Sequence, residues 1–195
     1  MSNIAIIIPS RLNAKRLPNK PLKLINKKEM ILHVYDAAKN SNVGEVIVAT
    51  PDKKILDLVK NHNGLAILTS EKHETGTDRV FEVFERELKS MPEIIINFQG
   101  DMPNLKPQSI KDLAEYMKKN LCDIATLASH IKNDNEEKDS NVVKVQVDNN
   151  IKNGSFAEAV DFFRNTSDPL GKFTYHHIGI YAFTNKALIR YVGLD

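Results

Sequence analysis

The sequence predicts an α/β fold with a mostly parallel sheet, and three observations lead to this prediction. Short, unbroken aliphatic runs recur along the chain, as in residues 4–8 and 94–96, and such runs are typical of strands buried on both faces of a parallel sheet. Segments with apolar residues at helical spacing separate the runs. The alternation of strand and helix favours a doubly wound sheet with right-handed crossovers.

The elements follow in order from these patterns. The predicted strands are residues 4–8, 45–50, 65–68, 93–98, 123–128, 142–147 and 172–184. Helices are predicted between them where apolar residues recur at helical spacing, within residues 30–38, 51–59, 80–88, 107–120 and 188–192. We expect Pro51 or Asp52 to begin the second helix, and Thr77 or Asp78 to cap the third.

Two segments in the second half of the chain carry weaker patterns. Residues 142–147 alternate apolar and polar side chains, which predicts a half-buried strand. Residues 132–141 have no apolar period and include four acidic residues, which predicts an exposed loop without a chemical role.

Composition limits the function classes. With 195 residues, 42% of them hydrophobic, the chain can bury a core, and its length is compatible with one domain. A net charge of +2 is too balanced for a nucleic-acid-binding protein that neutralises many phosphates. Cys122 is the single cysteine, so it fits a reducing compartment and is interpreted as a small core residue. The apolar runs are too short to span a bilayer and the first residues lack a signal-peptide pattern, so we expect a cytoplasmic protein without membrane insertion.

The loop after the first strand is strongly cationic. Arg11, Lys15, Arg16 and Lys20 fall within ten residues, and residues 1–28 contain seven basic side chains and no acidic one. Ligands of open α/β sheets bind at the carboxyl ends of the strands, so this loop indicates an anionic ligand, most simply a polyphosphate. A solvated basic surface is the alternative interpretation.

Two further segments carry candidate site residues. In residues 69–79, Thr75 and Thr77 offer hydroxyl groups and Gly76 permits close backbone approach, which suits an anion or base site at a helix start. Ordinary helix capping explains these residues equally well. Asp101 follows a buried strand and could reach a metal and a phosphate oxygen, although a turn aspartate before Pro103 would look the same.

Two common nucleotide-binding motifs are absent from the sequence. It contains neither Gly-x-Gly-x-x-Gly nor Gly-x4-Gly-Lys-Ser/Thr, so neither a dinucleotide-binding fold of the usual type nor a P-loop is supported.

Four motifs resemble those of one enzyme family. Ile-Pro-Ser-Arg-x4-Arg-Leu-Pro-x-Lys-Pro-Leu, from Ile8, is similar to the signature loop of sugar nucleotidyltransferases and, within them, of the CMP-sugar synthetases. His-Glu-Thr-Gly-Thr-Asp-Arg at 73–79, Gln-Gly-Asp at 99–101 and His-x-Gly-Ile-Tyr at 177–181 resemble segments of the 3-deoxy-manno-octulosonate cytidylyltransferases, or CMP-KDO synthetases. The resemblance covers essentially the whole chain. It implies a three-layer, Rossmann-like sheet of the nucleotide-diphospho-sugar transferase type in a single nucleotidyltransferase domain, residues 1–195.

The resemblance also implies a reaction and the residues that perform it. The expected reaction transfers CMP from CTP to 3-deoxy-D-manno-octulosonate (KDO) with release of pyrophosphate, making CMP-KDO for lipopolysaccharide synthesis. Catalytic roles are carried over to Arg11, Lys20 and Asp101, and Asp101 is also the expected ligand of the cofactor Mg²⁺. Nucleotide-binding roles are carried over to Pro9, Ser10, Arg11, Arg16, Lys20, Thr75, Gly76, Thr77 and Arg79. Sugar-binding roles are carried over to Gln99, Arg164, His177 and Tyr181.

The sequence departs from the family pattern at three places. Met102 stands where the family has a glutamate, which removes a negative charge near the expected metal, and Phe163 stands where it has a serine before Arg164. Family members also continue through a Gly-Val-Asp-Thr-Pro-Glu-Asp segment that completes the metal site, so we expect the family's C-terminal segment to be missing. The alternatives are therefore a catalytically impaired nucleotide-binding remnant, or a cytidylyltransferase for another acidic sugar. The sequence alone does not determine the oligomeric state, and the resemblance implies a homodimer as the family precedent.

Overall fold

The computed structural model describes residues 3–13, 17–88, 92–120, 122–152, 154–165 and 171–194. The strands are β1 Ile4–Pro9, β2 Leu24–Ile25, β3 Lys28–Glu29, β4 Glu45–Thr50, β5 Leu65–Leu68, β6 Ile94–Phe98, β7 Ile124–Ser129, β8 Lys144–Val147, β9 Ala159–Phe163 and β10 Phe173–Thr184. The helices are α1 Met30–Asn40, α2 Lys53–Asn61, α3 Gly76–Glu87, α4 Pro107–Asn120, α5 Asp134–Lys138 and α6 Asn185–Val192. Every predicted strand is present within a few residues of its expected ends.

Contacts between residues divide the chain into two compact units. The first comprises Met1–Ala125 and Ile180–Asp195, and the second comprises Thr126–Gly179. The boundary falls inside β7 and inside β10, so each of these strands contributes residues to both units. Two compact units can be parts of one domain, so this division does not test the prediction of a single nucleotidyltransferase domain, which stays a prediction.

The first unit is built on a mostly parallel sheet, which confirms the predicted fold class. The strand order is β5-β4-β1-β6-β10. The first four strands are parallel to their neighbours, whereas β10 pairs with β6 in the antiparallel direction through residues 180–184. Parallel neighbours require crossover connections, which α1, α2 and α3 provide along the chain.

Helices cover both faces of this sheet. On one face, Ile7 and Ile47 pack with Phe84 of α3 and Leu188 of α6. Side chains alternate along a strand, so Ile6 points to the opposite face, where it is also fully buried. Helices α1 and α4 pack against each other and against β4 and β6. Burial on both faces explains why β1 and β6 read as unbroken aliphatic runs.

Gly44 allows the chain to pass closely beside the start of β1. A Cβ atom added at Gly44 would lie 2.0 Å from the carbonyl oxygen of Ile4. No side chain fits at that distance, so a glycine is required where the connection enters β4.

The second unit contains an antiparallel arrangement around β8. Strand β8 pairs with β9 and with residues 173–176 of β10. The prediction that β8 is half-buried was wrong, because Lys144 and Gln146 are each only 1% exposed. The Lys144 ammonium donates to the backbone oxygens of Asp139 and Arg164 at 2.6 and 2.9 Å, and the Gln146 side-chain oxygen accepts from Gly171 N–H. These partners satisfy both polar groups and so permit their burial.

The acidic segment at 132–141 also differs from its prediction. It contains the short helix α5, which is capped by the Asn133 side chain, rather than only exposed loop. Glu136 lies beside His176 at 2.5 Å and accepts a hydrogen bond from Lys132 N–H. The helix escaped prediction because it is only five residues long and buries no side chain.

None of the helices in the described ranges combines the length and the apolar character that crossing a membrane requires.

Candidate active site

A cavity of about 230 Å³ lies at the carboxyl ends of β1 and β6 and at the start of α3. Three separate segments of the first unit line it, together with Met30 at the start of α1. The lining residues are Pro9, Ser10, Arg11, Lys20, Pro21, Met30, Thr75, Gly76, Arg79, Gln99, Gly100 and Asp101. The structure therefore brings together nine residues that the sequence analysis placed in a site: Pro9, Ser10, Arg11, Lys20, Thr75, Gly76, Arg79, Gln99 and Asp101.

We call the described residues 9–13 and 17–21 the phosphate loop, after the ligand expected for them. A backbone hydrogen bond joins the two described parts of this loop: the Asn19 N–H donates to the Leu12 carbonyl at 3.1 Å. Asn19 has a φ of 57°, a left-handed conformation that asparagine tolerates, and a single 3-10 turn, Lys20–Leu22, follows with Pro21 in it. With this local geometry, Lys20 lines the same cavity as Arg11. Arg16, another expected phosphate ligand, lies outside the described residues.

Arg79 is a buried cation in the cavity wall. Its side chain is only 2% exposed, and its guanidinium donates to the Thr69 hydroxyl and to the Ser70 carbonyl, the latter at 2.8 Å. Burial, followed by the nearby charge of Arg11, lowers the pKa of Arg79 below its ordinary value. Arg79 thus donates to two neutral oxygens and lies close to a second guanidinium group, that of Arg11, so an anion bound between them would be stabilised by both.

Lys20 and Asp101 form an ion pair at the cavity wall. The Lys20 ammonium donates to the Asp101 carboxylate at 2.8 Å, and the two side chains are 35% and 54% exposed. The carboxylate is therefore paired with a cation from a distant segment, which the interpretation as a turn aspartate did not predict. Both groups are accessible to a ligand that would separate them.

The start of α3 differs from the predicted cap. Thr75, rather than Thr77 or Asp78, is the N-cap residue, and it forms a capping box with Asp78. The Thr75 hydroxyl is thus engaged in helix capping, the alternative that the sequence left open. Helix geometry leaves the backbone N–H groups of the first turn without a partner inside the helix. The N–H of Asp78 donates to the Thr75 hydroxyl, and Gly76, where the turn begins, lines the cavity.

A buried amide connects two of the lining segments. Asn97 is fully buried at the end of β6. Its side-chain oxygen accepts from the Gln99 amide at 2.9 Å, and its side-chain nitrogen donates to the Thr77 hydroxyl at 3.2 Å. Thr77, which does not line the cavity, is linked to it in this way. Asn97 was not predicted as a site residue, although a polar side chain within an otherwise aliphatic strand is a signal for one.

Close packing of backbone and side chains also shapes the wall. A Cβ atom added at Gly76 would lie 3.2 Å from both the Gln99 side-chain oxygen and the Pro9 ring. The Ser10 hydroxyl oxygen is buried and has no hydrogen-bond partner within the described parts of the chain. A buried hydroxyl at a cavity wall is suited to a ligand that would accept or donate a hydrogen bond there.

The other three expected sugar ligands, Arg164, His177 and Tyr181, are not among the residues that line the cavity. Tyr181 packs against the hydrophobic cluster under α3 and α6, and burial raises the pKa of its phenol. Arg164 belongs to the second unit and donates to the carbonyl oxygens of Ser140 and Asn141, at 3.2 and 2.9 Å.

His177 also belongs to the second unit, and its ring is 7% exposed. Its Nε2 lies 2.9 Å from the Thr126 hydroxyl, which itself donates to the Ile178 carbonyl. Because the single hydroxyl proton is used there, Nε2 is the donor in the contact with Thr126. Burial, followed by the charge of His176, lowers the pKa of His177 to about 4. The imidazole is therefore neutral at pH 7.

The described residues contain no group of three or more histidine, cysteine, aspartate or glutamate side chains that could hold a metal ion. Asp101 remains the single carboxylate among the lining residues.

Sequence and structure comparisons with known proteins agree on one enzyme family. The chain matches the family described as cytidylyltransferase over residues 5–194. It is 38% identical over 194 residues to the 3-deoxy-manno-octulosonate cytidylyltransferase of Rhodospirillum centenum, an alignment covering 98% of this chain and 75% of that protein. It is 40% identical over 190 residues to the enzyme of the same name from Nitrobacter hamburgensis, covering 97% and 73%. The solved structure of a CMP:2-keto-3-deoxy-manno-octonic acid synthetase in complex with CTP superposes with a TM-score of 0.85 at 37% identity, covering the whole of this chain and 79% of the other.

Proposed function

The chain belongs to the cytidylyltransferase family, and from this membership we propose that it is a nucleotidyltransferase that transfers CMP from CTP to KDO. The reaction releases pyrophosphate and yields CMP-KDO, a precursor for lipopolysaccharide synthesis. The similar enzymes are named for this activity, and the similar solved structure holds CTP. The observation that carries the proposal is the cationic cavity, in which Arg11, Lys20 and Arg79 converge at the carboxyl ends of parallel strands.

The cavity residues suit the binding of a triphosphate. In the proposed reaction, the anomeric hydroxyl of KDO gives up its proton to water and its oxygen forms a bond to the α-phosphorus, while the bond from that phosphorus to the bridging oxygen of pyrophosphate breaks. Negative charge shifts towards the leaving group. Arg11 and Lys20 would offset it, since cations fixed in a cavity need little rearrangement as the charge develops.

A magnesium ion is part of the proposal, and the donor set fits one. Asp101 would hold it through a carboxylate oxygen, while phosphate oxygens and water would complete the oxygen shell that Mg²⁺ prefers. When bound, the ion would polarise the α-phosphate. For this to happen the Asp101 carboxylate must leave Lys20, whose ammonium can then contact a phosphate oxygen. The substitution of Met102 for a glutamate leaves Asp101 with fewer negative neighbours.

We assign the sugar to Gln99, Arg164, His177 and Tyr181. Gln99 lines the cavity, and its amide is held by Asn97. The fork of the Arg164 guanidinium matches a carboxylate, the acidic group of KDO. His177, whose pKa of about 4 keeps it neutral, would contact the sugar by hydrogen bonding rather than as a cation.

A homodimer in the cytoplasm completes the proposal. The single cysteine fits a reducing compartment. Burial raises the pKa of the Cys122 thiol, and its sulfur contacts that of Met117 at 3.3 Å, which suits the interpretation as a packing residue. Light scattering would test the assembly, for which a mass of twice 22.0 kDa is expected.

The decisive experiment measures pyrophosphate release with CTP, KDO and Mg²⁺. We expect turnover in the wild-type chain and a loss of at least about a hundredfold in Asp101→Ala, because the ligand that positions the α-phosphate is removed. Asp57→Ala is a matched control, since Asp57 is also exposed and also pairs with a lysine at 2.8 Å, but does not line the cavity.

The other outcomes separate the alternatives. Turnover with a different acidic sugar but not with KDO would assign the chain to another substrate. CTP binding without turnover for any sugar would identify a nucleotide-binding remnant. Equal turnover in Asp101→Ala and Asp57→Ala would contradict the metal assignment.

A further inference from the structure

Asp52 makes an unusual contact for its position. It is the N-cap residue of α2, yet its side chain makes no hydrogen bond to its own helix. Its carboxylate instead accepts from the backbone N–H of Leu12 in the phosphate loop, at 2.8 Å and 40 residues away in sequence. An aspartate at this position normally accepts from the first turn of its helix. Here that favourable interaction is given up for a contact with the loop.

Asp52 is itself held in place. Its backbone N–H donates to the hydroxyl of Thr50 at 3.1 Å, and Thr50 is fully buried at the end of β4. Asp52 is therefore anchored at the carboxyl end of β4. A charge-assisted hydrogen bond from a fixed group to a loop N–H restrains the loop backbone.

The phosphate loop has no carboxylate of its own to make this contact. Residues 1–28 contain seven basic and no acidic side chains. The carboxylate that accepts from Leu12 N–H is therefore supplied by Asp52, just after β4. Arg11, directly before Leu12, lines the cavity. Asp52 also lies close enough to Arg79 to raise its pKa, against the lowering effects of burial and of Arg11.

We propose that Asp52 is a positioning residue: by holding the N–H of Leu12, it keeps the phosphate loop in the conformation that presents Arg11 to the cavity. It acts through the loop and does not contact the ligand. The inference rests on the proposed function for the identity of the anion, a nucleoside triphosphate, while the contact itself is independent of the reaction.

The first test measures amide hydrogen exchange at Leu12 in the free protein. Asp52→Ala should exchange at least roughly tenfold faster than wild type, since the acceptor is lost. Asp52→Asn should stay close to wild type, because its side-chain oxygen can still accept. Asp57→Ala, on the same helix but remote from the loop, is the control. Unchanged Leu12 exchange in Asp52→Ala would overturn the proposal.

The second test uses calorimetry with CTP, inorganic tripolyphosphate and cytidine. Asp52→Ala should bind CTP and tripolyphosphate roughly tenfold more weakly, the size of effect expected when a hydrogen bond to a charged group is lost, with cytidine binding unchanged. Asp52→Asn should bind both phosphates at least as tightly as wild type, since the acceptor stays and a negative charge is removed. Equal weakening of all three ligands would indicate general structural damage and refute a specific role in the loop.

These measurements separate this inference from the proposed function. If the wild-type chain binds tripolyphosphate but releases no pyrophosphate with CTP and KDO, the proposed reaction is refuted. The effect of Asp52 on tripolyphosphate binding and on Leu12 exchange would still be measured in the same samples, and would support or overturn the positioning role.

Discussion

Lys20 and Lys53 form similar ion pairs in different places. Each donates to an aspartate at 2.8 Å, Lys20 to Asp101 and Lys53 to Asp57. Exposed pairs of this kind stabilise a fold by only ~0–1 kcal/mol. Lys20 lines the cavity and Lys53 does not, so the two residues should differ in ligand binding rather than in stability.

Replacing each lysine tests this difference. Lys20→Ala should weaken CTP binding by about 10- to 100-fold, because an ammonium–phosphate hydrogen bond is worth roughly 1.5–3 kcal/mol. Lys53→Ala should leave CTP binding unchanged, and both variants should unfold within ~1 kcal/mol of wild type. Calorimetry and urea unfolding provide the two measurements. Equal CTP affinity in the two variants would show that Lys20 does not contact the nucleotide.

His177 links burial to pH dependence. Its folded-state pKa is about 4, against an ordinary value of 6.5. The unfolded chain therefore binds a proton at this position as the pH falls below about 6.5, whereas the folded chain resists protonation until about pH 4. Since protons then bind preferentially to the unfolded state, this residue lowers stability progressively as the pH falls through that window.

Substitution of His177 should reduce this pH dependence. When the pH is lowered from 7 to 5, the free energy of unfolding of the wild type should fall by on the order of 1–2 kcal/mol more than that of His177→Gln. His33→Gln, on α1, serves as a control for the loss of an imidazole. Urea unfolding at both pH values measures the difference. The same pH slope in wild type and His177→Gln would contradict a buried, neutral imidazole.

At the scale of elements, the position of β4 beside β1 depends on a close backbone contact. Strand β1 pairs with β4 from Ala5 opposite Glu45 onwards, and Gly44 directly precedes this ladder. The Ile4 carbonyl oxygen lies 2.0 Å from the position that the Cβ atom of any other residue would take. The pairing of β1 with β4 in this register therefore requires a glycine at position 44.

Gly44→Ala should destabilise the fold. The strands must separate or the connection must shift, and overpacking of this kind typically costs ~1–3 kcal/mol. Gly193→Ala is the matched control, because a Cβ atom there would meet its nearest neighbours at 3.6 Å, an ordinary contact. Urea unfolding of the two variants measures the effect. A Gly44→Ala protein as stable as Gly193→Ala would mean that the connection adjusts freely.

At the scale of the molecule, charge is distributed unevenly. The chain carries 27 basic and 25 acidic residues, yet all seven charged residues among its first 28 positions are basic. The rest of the chain therefore carries 20 basic and 25 acidic residues, a net charge of −5, so the excess positive charge is confined to the segment that contains the phosphate loop. Such a distribution suits a compact anion rather than an extended polyanion.

We therefore expect the protein to discriminate between CTP and nucleic acid. A fluorescent DNA duplex should show no saturable binding at physiological salt, while CTP binds in the same buffer. Fluorescence anisotropy with CTP as competitor measures both. Tight duplex binding with a steep salt dependence would contradict this expectation, because it would require many phosphate contacts across the surface.

Most of the fold could be predicted from local patterns. Aliphatic runs such as those of β1 and β6 are long enough to identify strands buried on both faces, and α4 was predicted with the ends that it has in the structure. The three cavity segments also carried local signals: a cationic loop, a helix start with threonines and a glycine, and an aspartate after a strand. The resemblance to a family added the roles of these residues, which neither composition nor spacing could supply.

The remaining features depend on which distant residues meet. Lys20 pairs with Asp101 across 81 positions, and Asp52 reaches Leu12 across 40. Lys144 is buried because two backbone carbonyls reach it, although the alternation of its strand predicted an exposed side chain. Hydrophobic periodicity reports the environment of a segment, whereas the partner of a polar group depends on the packing of other segments around it. The sequence thus specified the elements and the chemistry at their ends, and the tertiary packing selected the contacts among the polar groups.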